Sequence, residues 1–317
     1  MKVLLFPGQG SQFVGMARDL CETFPSAKAI CDRADEVLGF SLSKIMFEGP
    51  EEILRQTHNA QPAILVHSMA AWSVLEPTWK TEQFLAAGHS LGEYSAHVAA
   101  GVLAFDDAVK LVRRRGELML EAGRQNPGTM AAVLNASFDQ VRAACLEVDG
   151  LVVPANWNSP VQVVISGEHS AIRAATETLK KAGVRKVIEL KVSGAFHSPL
   201  MAPAATGLEE ALAGVALNDA RFPVIANATG EPVTEGAEAR RLLVRQLLSP
   251  VLWEPTLRRL VESHPDEFCE IGPGQVLKGL LKATSPEQTC RSLGTAGELR
   301  EALGLPAERE AVSEESR

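Results

Sequence analysis

Between residues 84 and 100 the chain runs Phe84-Leu85-Ala86-Ala87, then Gly88-His89-Ser90-Leu91-Gly92, then Glu93-Tyr94-Ser95-Ala96-His97-Val98-Ala99-Ala100. The apolar residues before Gly88 predict a short buried strand, and the segment after Gly92 predicts a helix. A G-x-S-x-G pattern between strand and helix forces a tight turn that pushes the serine hydroxyl clear of the sheet, with glycines leaving room for the strain. The same turn sets Ser90 at a helix N-terminus, where free backbone N–H groups stabilise an oxyanion. That is the geometry of an acyl-forming nucleophile. The pentapeptide alone also arises by chance, so the remaining chain has to supply its partners.

A chain of 317 residues is long enough for one large domain or two moderate ones. Apolar residues make up 46% and charged residues 22%, which places it among ordinary soluble globular proteins. The apolar run at the start is too short for a signal peptide, and no run approaches the length of a membrane span, so a cytoplasmic protein is expected. Cysteines 21, 31, 145, 269 and 290 are scattered, odd in number and without a C-x-x-C pair. They fit a reducing compartment better than a disulfide framework and offer no zinc site. A net charge of −8 argues against nucleic acid as a partner, since that requires a dominant basic face.

Residues 2–6 predict a strand that runs into Pro7-Gly8-Gln9-Gly10-Ser11-Gln12. A strand entering a glycine-rich turn exposes backbone N–H groups to close approach. Neither a dinucleotide fingerprint nor a phosphate loop is completed there, so half of an oxyanion hole is the better reading, the other half coming from the residue after Ser90. Helices are expected around 15–38, at 60–76 and at 106–124. The last carries Arg113-Arg114-Arg115, which point in three directions at 100° per residue, so at least one faces inward. A buried guanidinium needs a carboxylate, from the protein or from a ligand.

From 128 to 191 the pattern changes to strand 129–134, helix 138–148, strand 151–155, strand 161–166, helix 169–182 and strand 185–190. That β-α-β-β-α-β order predicts an inserted ferredoxin-like small domain. The expected fold is therefore α/β: a large α/β-hydrolase-like domain with a parallel sheet (1–127 and 192–305) interrupted by the small domain (128–191). In the resumed large domain a helix is expected at 200–213, a strand at 223–226, helices near 237–247 and 254–263, a strand at 268–271 and a last helix near 276–283. Residues 306–317 predict a frayed tail.

A serine nucleophile needs a base, usually histidine. His89 should leave from the opposite face of the strand, and His97 lies about two turns down the helix. His58, His67, His169 and His264 sit in settings without special chemistry. His197 follows the last strand of the insertion, in Val192-Ser193-Gly194-Ala195-Phe196-His197-Ser198-Pro199, at the boundary between domains where substrate clefts form.

The chain resembles the malonyl-CoA:acyl-carrier-protein transacylases, including the acyltransferases of polyketide synthases, up to about residue 300. The resemblance rests on Phe6-Pro7-Gly8-Gln9-Gly10-Ser11-Gln12, Gln61-Pro62-Ala63, Gly88-His89-Ser90-Leu91-Gly92-Glu93, Arg115-Gly116 and Asn158-Ser159-Pro160 with the strand after it. It continues through Phe196-His197-Ser198, Arg245-Gln246-Leu247 and Ile271-Gly272-Pro273-Gly274, in the same order. It implies Ser90 as nucleophile, His197 as base oriented by the Gln246 carbonyl, and the backbone of Gln9 and Leu91 as oxyanion hole. It further implies Arg115 as the partner of the malonyl carboxylate, with Gln61 and Phe196 in the pocket. Gly194-Ala195-Phe196-His197-Ser198 resembles the malonyl-selective polyketide acyltransferases, which implies a discrete, trans-acting enzyme. No metal or bound cofactor is implied; the substrates are malonyl-CoA and a phosphopantetheinylated acyl carrier protein, and a monomer is expected.

Two rivals compete: an acyl-thioester hydrolase with the same Ser-His pair, and a non-catalytic docking protein, which has no physical need for Ser90, His197 and Arg115 together. Carrier proteins of this family are acidic, so docking requires a locally different face. Residues 128–191 hold seven basic and six acidic side chains, a net of +1 that leaves −9 for the rest. Lys180, Lys181, Arg185 and Lys186 cluster at one helix end and are the expected docking residues.

Overall fold

The computed structural model describes residues 1–306, so the tail expected from 306 to 317 lies, from 307 on, outside the described residues. Strand β1 (Lys2–Phe6) leads into helices α1 (Arg18–Thr23), α2 (Pro25–Leu38), α3 (Leu42–Glu48), α4 (Glu51–Leu54) and α5 (Thr57–Leu75). Then come β2 (Phe84–Gly88), α6 (Gly92–Ala99) and α7 (Phe105–Gln125). The middle of the chain forms β3 (Thr129–Leu134), α8 (Phe138–Leu146), β4 (Val152–Ser159), β5 (Gln162–Gly167), α9 (His169–Lys181) and β6 (Lys186–Glu189). After these follow α10 (Ala202–Ala213), β7 (Val224–Ile225), β8 (Pro232–Val233), α11 (Gly236–Gln246), β9 (Val251–Leu252) and α12 (Trp253–Glu262). The described chain closes with β10 (Glu267–Ile271), α13 (Val276–Thr284), β11 (Cys290–Leu293) and α14 (Ala296–Ala302).

Two sheets result. The larger has the order β11-β10-β1-β2-β7-β8, parallel throughout except for the last pair. β1 is apolar and buried from Val3 to Phe6 because helices cover both faces of a parallel sheet. Leu4 and Phe6 pack into the main core with α5 and α7, while Val3 and Leu5 join Trp253, Leu257 and Leu281 on the other face. The smaller sheet has the order β6-β3-β5-β4-β9 and is antiparallel except where β4 meets β9. One face packs under α8 and α9 through Val133, Ile165, Ile172 and Leu179. The other sends Met130, Ala132, Ala155 and Val164 into the main core. The two sheets therefore share a core, and β9, which comes from outside residues 128–191, completes the small one.

Several expected elements differ from those observed. The helical stretch expected around 15–38 divides into α1 and α2 at Phe24, because Pro25 opens α2 and the residue before a proline avoids the helical region. Phe24 accordingly sits extended at φ −121° and ψ 115°. The strand anticipated at 151–155 continues to Ser159, since Asn156 and Trp157 gain a second partner in β9. The helix near 276–283 is not the last element: β11 and α14 follow it, with β11 as the outer strand of the large sheet. Cys290-Arg291-Ser292-Leu293 carries too little apolar period to announce a strand. Among the described residues no helix is long and apolar enough to cross a membrane.

Candidate active site

β1 and β2 are parallel neighbours in register, Phe6 opposite Gly88, so the turns that follow them emerge side by side at one sheet end. The second turn carries Ser90. Its backbone lies in the left-handed region at φ 51°, a conformation a non-glycine residue adopts only when its surroundings enforce it. The enforcement is steric. A Cβ at Gly88 would stand 1.9 Å from the Gly92 backbone, and one at Gly92 would stand 2.0 Å from the Phe6 carbonyl oxygen. Only glycine at both ends lets the helix start directly on the strand.

His197 also has a positive φ, 55°, in the turn after the small-sheet segment. Its Nε2 lies 2.8 Å from Ser90 Oγ, and its Nδ1 donates to the Gln246 carbonyl at 2.9 Å. A carbonyl can only accept, so the proton resides on Nδ1 and leaves Nε2 free to take the serine proton. Burial, and then the positive charge of Arg115, push the imidazole down to about 3, so it is neutral across the physiological range.

Arg115 lies fully buried on α7. The buried stripe of that helix is Val109, Val112, Arg115, Gly116, Met119 and Ala122, so the inward arginine sits on the apolar face at three- and four-residue spacing. Arg113 instead bonds Glu117 and the exposed Arg114 also faces Glu117. Arg115 donates to Gln61 Oε1 at 2.7 Å, to Gln246 Oε1 at 2.9 Å and to Ser90 Oγ at 3.2 Å, and its planar group lies 5.4 Å from the Tyr94 ring. All these acceptors are neutral, and Nε has no partner among the described residues. The carboxylate expected beside a buried guanidinium is not in hydrogen-bond contact with it. Burial pulls its pKa below the ordinary guanidinium value, the response of a cation without a full counter-charge.

These groups border a cavity of about 450 Å³ whose walls include Gln9, Leu91, Met119, Met130 and Phe196. The backbone amides of Gln9 and Leu91 make no hydrogen bond among the described residues, and both residues line the same cavity as Ser90. Phe196, expected in the pocket, does line it. Gln61 does not: it is wholly buried behind Arg115, its Nε2 donating to the Met119 sulfur at 3.3 Å, because the guanidinium claims its oxygen. The basic cluster is also placed apart from the cavity wall. Lys180 pairs with Glu177, Lys181, Arg185 and Lys186 are exposed, and the cations that line the mouth are Arg55 and Lys191.

Two residues that sequence reasoning left without a role tie the site together. Asn227, just after β7, accepts from the Ser90 amide at 2.7 Å and donates to the Gly88 carbonyl at 2.8 Å, clamping the strained turn. Glu93, fully buried in the first turn of α6, accepts from the Asn227 amide at 3.0 Å and from Gln246 Nε2 at 2.7 Å. An acidic residue on the buried face of a short helix was the available signal for Glu93; a lone asparagine after a two-residue strand gave none. The remaining histidines play other parts. His89 turns away and bonds Asn158 Oδ1 at 2.8 Å, and His67 bonds the Gly294 carbonyl at 2.8 Å. Among the described residues no group of His, Cys, Asp or Glu is arranged to hold a metal ion.

Comparison with known proteins agrees with this arrangement. The family model described as an acyl transferase domain matches residues 3–310. The malonyl CoA-acyl carrier protein transacylase of Bacillus subtilis is 47% identical over 281 residues, 88% of each chain. That of Staphylococcus aureus strain MSSA476 is 39% identical over 94% of this chain and 96% of its own. Among solved structures, a malonyl-transacylase in complex with its type II polyketide synthase acyl-carrier protein superposes with a TM-score of 0.92 at 39% identity, covering 96% of this chain and 99% of that one. The corresponding enzyme of Streptococcus pneumoniae superposes with a TM-score of 0.90 at 40% identity, over 96% of this chain and 99% of its own. The chain belongs to the acyl transferase family, within the malonyl-CoA:acyl-carrier-protein transacylases.

Proposed function

We propose that the protein is an acyl-carrier-protein S-malonyltransferase that takes malonyl from malonyl-CoA onto Ser90 and passes it to a carrier protein's phosphopantetheine thiol, for fatty-acid or polyketide synthesis in the cytoplasm. The observation that carries this reading is Arg115: a buried cation with only neutral partners, 3.2 Å from the nucleophile. A carboxylate two bonds from the reacting carbonyl would supply the missing counter-charge in a charge-assisted, two-pronged pair. Neutral acyl groups would leave the charge as it is.

The steps follow from the proton positions. His197 Nε2 takes the Ser90 proton as the oxygen attacks the thioester carbon. The oxyanion is held by the Gln9 and Leu91 amides, the latter at the positive end of α6. Collapse expels the coenzyme A sulfur, which takes the proton from His197, and a malonyl-serine ester remains. The carrier's thiol then gives its proton to His197 and attacks the ester carbon; collapse breaks the bond to the Ser90 oxygen, which takes that proton back from His197, and the malonyl group remains on the carrier's sulfur. Gln246 acts twice, its carbonyl fixing the histidine tautomer and its side chain bridging Arg115 and Glu93.

The same reading assigns residues 1–127 and 192–305 to a hydrolase-like catalytic domain and 128–191 to a ferredoxin-like insertion. The order β6-β3-β5-β4 supports the second assignment, being the strand order of a split βαβ unit. Intact-mass measurement after mixing with malonyl-CoA tests the function. A malonyl adduct on Ser90 that is discharged only by holo carrier protein is expected. Steady release of free malonate without carrier would mean a hydrolase, and neither adduct nor turnover would mean a binding protein.

A further inference from the structure

The five cysteines are scattered in sequence and free, but the fold brings two of them together. Cys21 on α1 and Cys31 on α2 have their sulfurs 3.1 Å apart, within hydrogen-bonding distance. They border a cavity of about 560 Å³ whose rim includes Arg18, Lys28, Asp32 and Glu48. Cys31 is 2% exposed, whereas Cys21 is half-buried and is the sulfur within reach of a solute. Neither lines the Ser90 cavity.

We infer that Cys21 and Cys31 form a redox modification site, a dithiol that a low-molecular-weight disulfide converts to an intramolecular disulfide. The two sulfurs need to approach by only about 1 Å to reach bonding distance. The chemistry divides by exposure. The hydrogen bond between the two sulfurs holds the Cys21 thiol below its usual range, while that same bond and burial push Cys31 upward. Cys21 thiolate attacks one sulfur of the small disulfide, forming a mixed disulfide and expelling one thiolate. Cys31 gives its proton to that thiolate and its sulfur attacks Cys21, breaking the mixed disulfide and expelling the second thiolate, which is protonated from water. The small disulfide is reduced to two thiols and the protein dithiol is oxidised. The remaining cysteines are poor competitors, since burial pushes the thiols of Cys145 and Cys290 up to about 12 and that of Cys269 up as well.

The product would staple α1 to α2. α1 also holds Asp19, which accepts from the Ala296 amide at the start of α14, so the stapled helix is one that already contacts α14.

The test uses the full chain and oxidised glutathione, followed by acid quench, alkylation and trypsin. Cleavage at Lys28 and Arg33 puts the two cysteines in separate peptides, residues 19–28 and 29–33. The expected result is a reductant-sensitive link between those peptides and an intact mass lower by two hydrogens. Cys31→Ser should stop at a single glutathione on Cys21, and Cys21→Ser should leave Cys31 unmodified. A stable glutathione adduct on wild-type Cys21 without the linked peptide overturns the inference. So does a link through Cys145, Cys269 or Cys290, or no modification at either cysteine.

Discussion

The large parallel sheet and the small, mainly antiparallel one both border the Ser90 cavity, and they are built in opposite ways. At the end of the large sheet the groups around the nucleophile are cross-linked: the Ser90 amide to Asn227, Arg115 to Gln61 and Gln246, and Gln246 in turn to Glu93. Two residues there, Ser90 and His197, are kept at positive φ. The small sheet and the segment that follows β6 contribute Met130, Asn156, Leu190 and Lys191 to the same cavity, which are mostly wall. The difference teaches a division of labour. Reacting atoms are fixed by a network that has one solution, while the opposite wall is ordinary packing, free to shape access.

The sharpest way to break this comparison is at the reacting atoms. Ser90→Ala should abolish malonyl-enzyme formation, and His197→Ala should slow acylation by about 10²–10⁴-fold while leaving the thermal transition in place. Labelling of Ser90→Ala at another serine, seen by peptide mass spectrometry, would overturn the assignment. Next in size is Arg115→Ala. Loss of a charge-assisted pair is worth about 1.5–3 kcal/mol, so kcat/KM for malonyl-CoA should fall roughly 10- to 150-fold. Transfer from acetyl-CoA should hold or rise, and equal losses for both substrates would reduce Arg115 to a structural part.

The small sheet should respond differently. Reversing charge at Lys181 and Lys186 should raise the KM for an acidic carrier by about 3- to 10-fold, through slower association, and leave acylation by malonyl-CoA untouched. An unchanged carrier KM would move docking to the mouth, where Arg55 and Lys191 stand. The smallest effect concerns pH. A histidine held down to about 3 is deprotonated well below the ordinary imidazole range, and protonation can remove the base only as pH falls toward that value. The acylation rate should therefore be flat from pH about 8 to about 5.5. A fall centred near pH 6.5 in the kcat/KM profile would mean an exposed, ordinary histidine.

Much of the site was legible because its signals are local. The strained turn at Ser90 needs glycine on both sides within five residues, so pattern and conformation coincide. The 3.6-residue period of α7 requires that at least one of the three consecutive arginines face inward, the family resemblance pointed to Arg115, and the fold buries Arg115 and leaves Arg114 exposed. His197 was found by its place after the insertion, a matter of chain order. Asn227 and Glu93 were not found, because their roles exist only across long gaps: Asn227 bonds Ser90, and Glu93 bonds Gln246. Gln61 meets Arg115 from the buried side, which a motif does not reveal, since it does not say which side of a guanidinium an amide occupies.

What the sequence by itself determined is the set of short-range decisions: the strand–turn–helix at Ser90, an arginine of the 113–115 run facing inward, and the β-α-β-β-α-β order of residues 128–191. Backbone sterics and helical period act over a few residues, and those residues are written consecutively. Tertiary structure decided the rest. It closed the small sheet with β9, added β11 to the large one, and left Arg115 among neutral oxygens. It also set Cys21 against Cys31. Each of these is a meeting of segments whose apolar faces had to be buried together. Burial is non-directional, so no local pattern names the partner that a given polar atom or sulfur will meet once the core has closed.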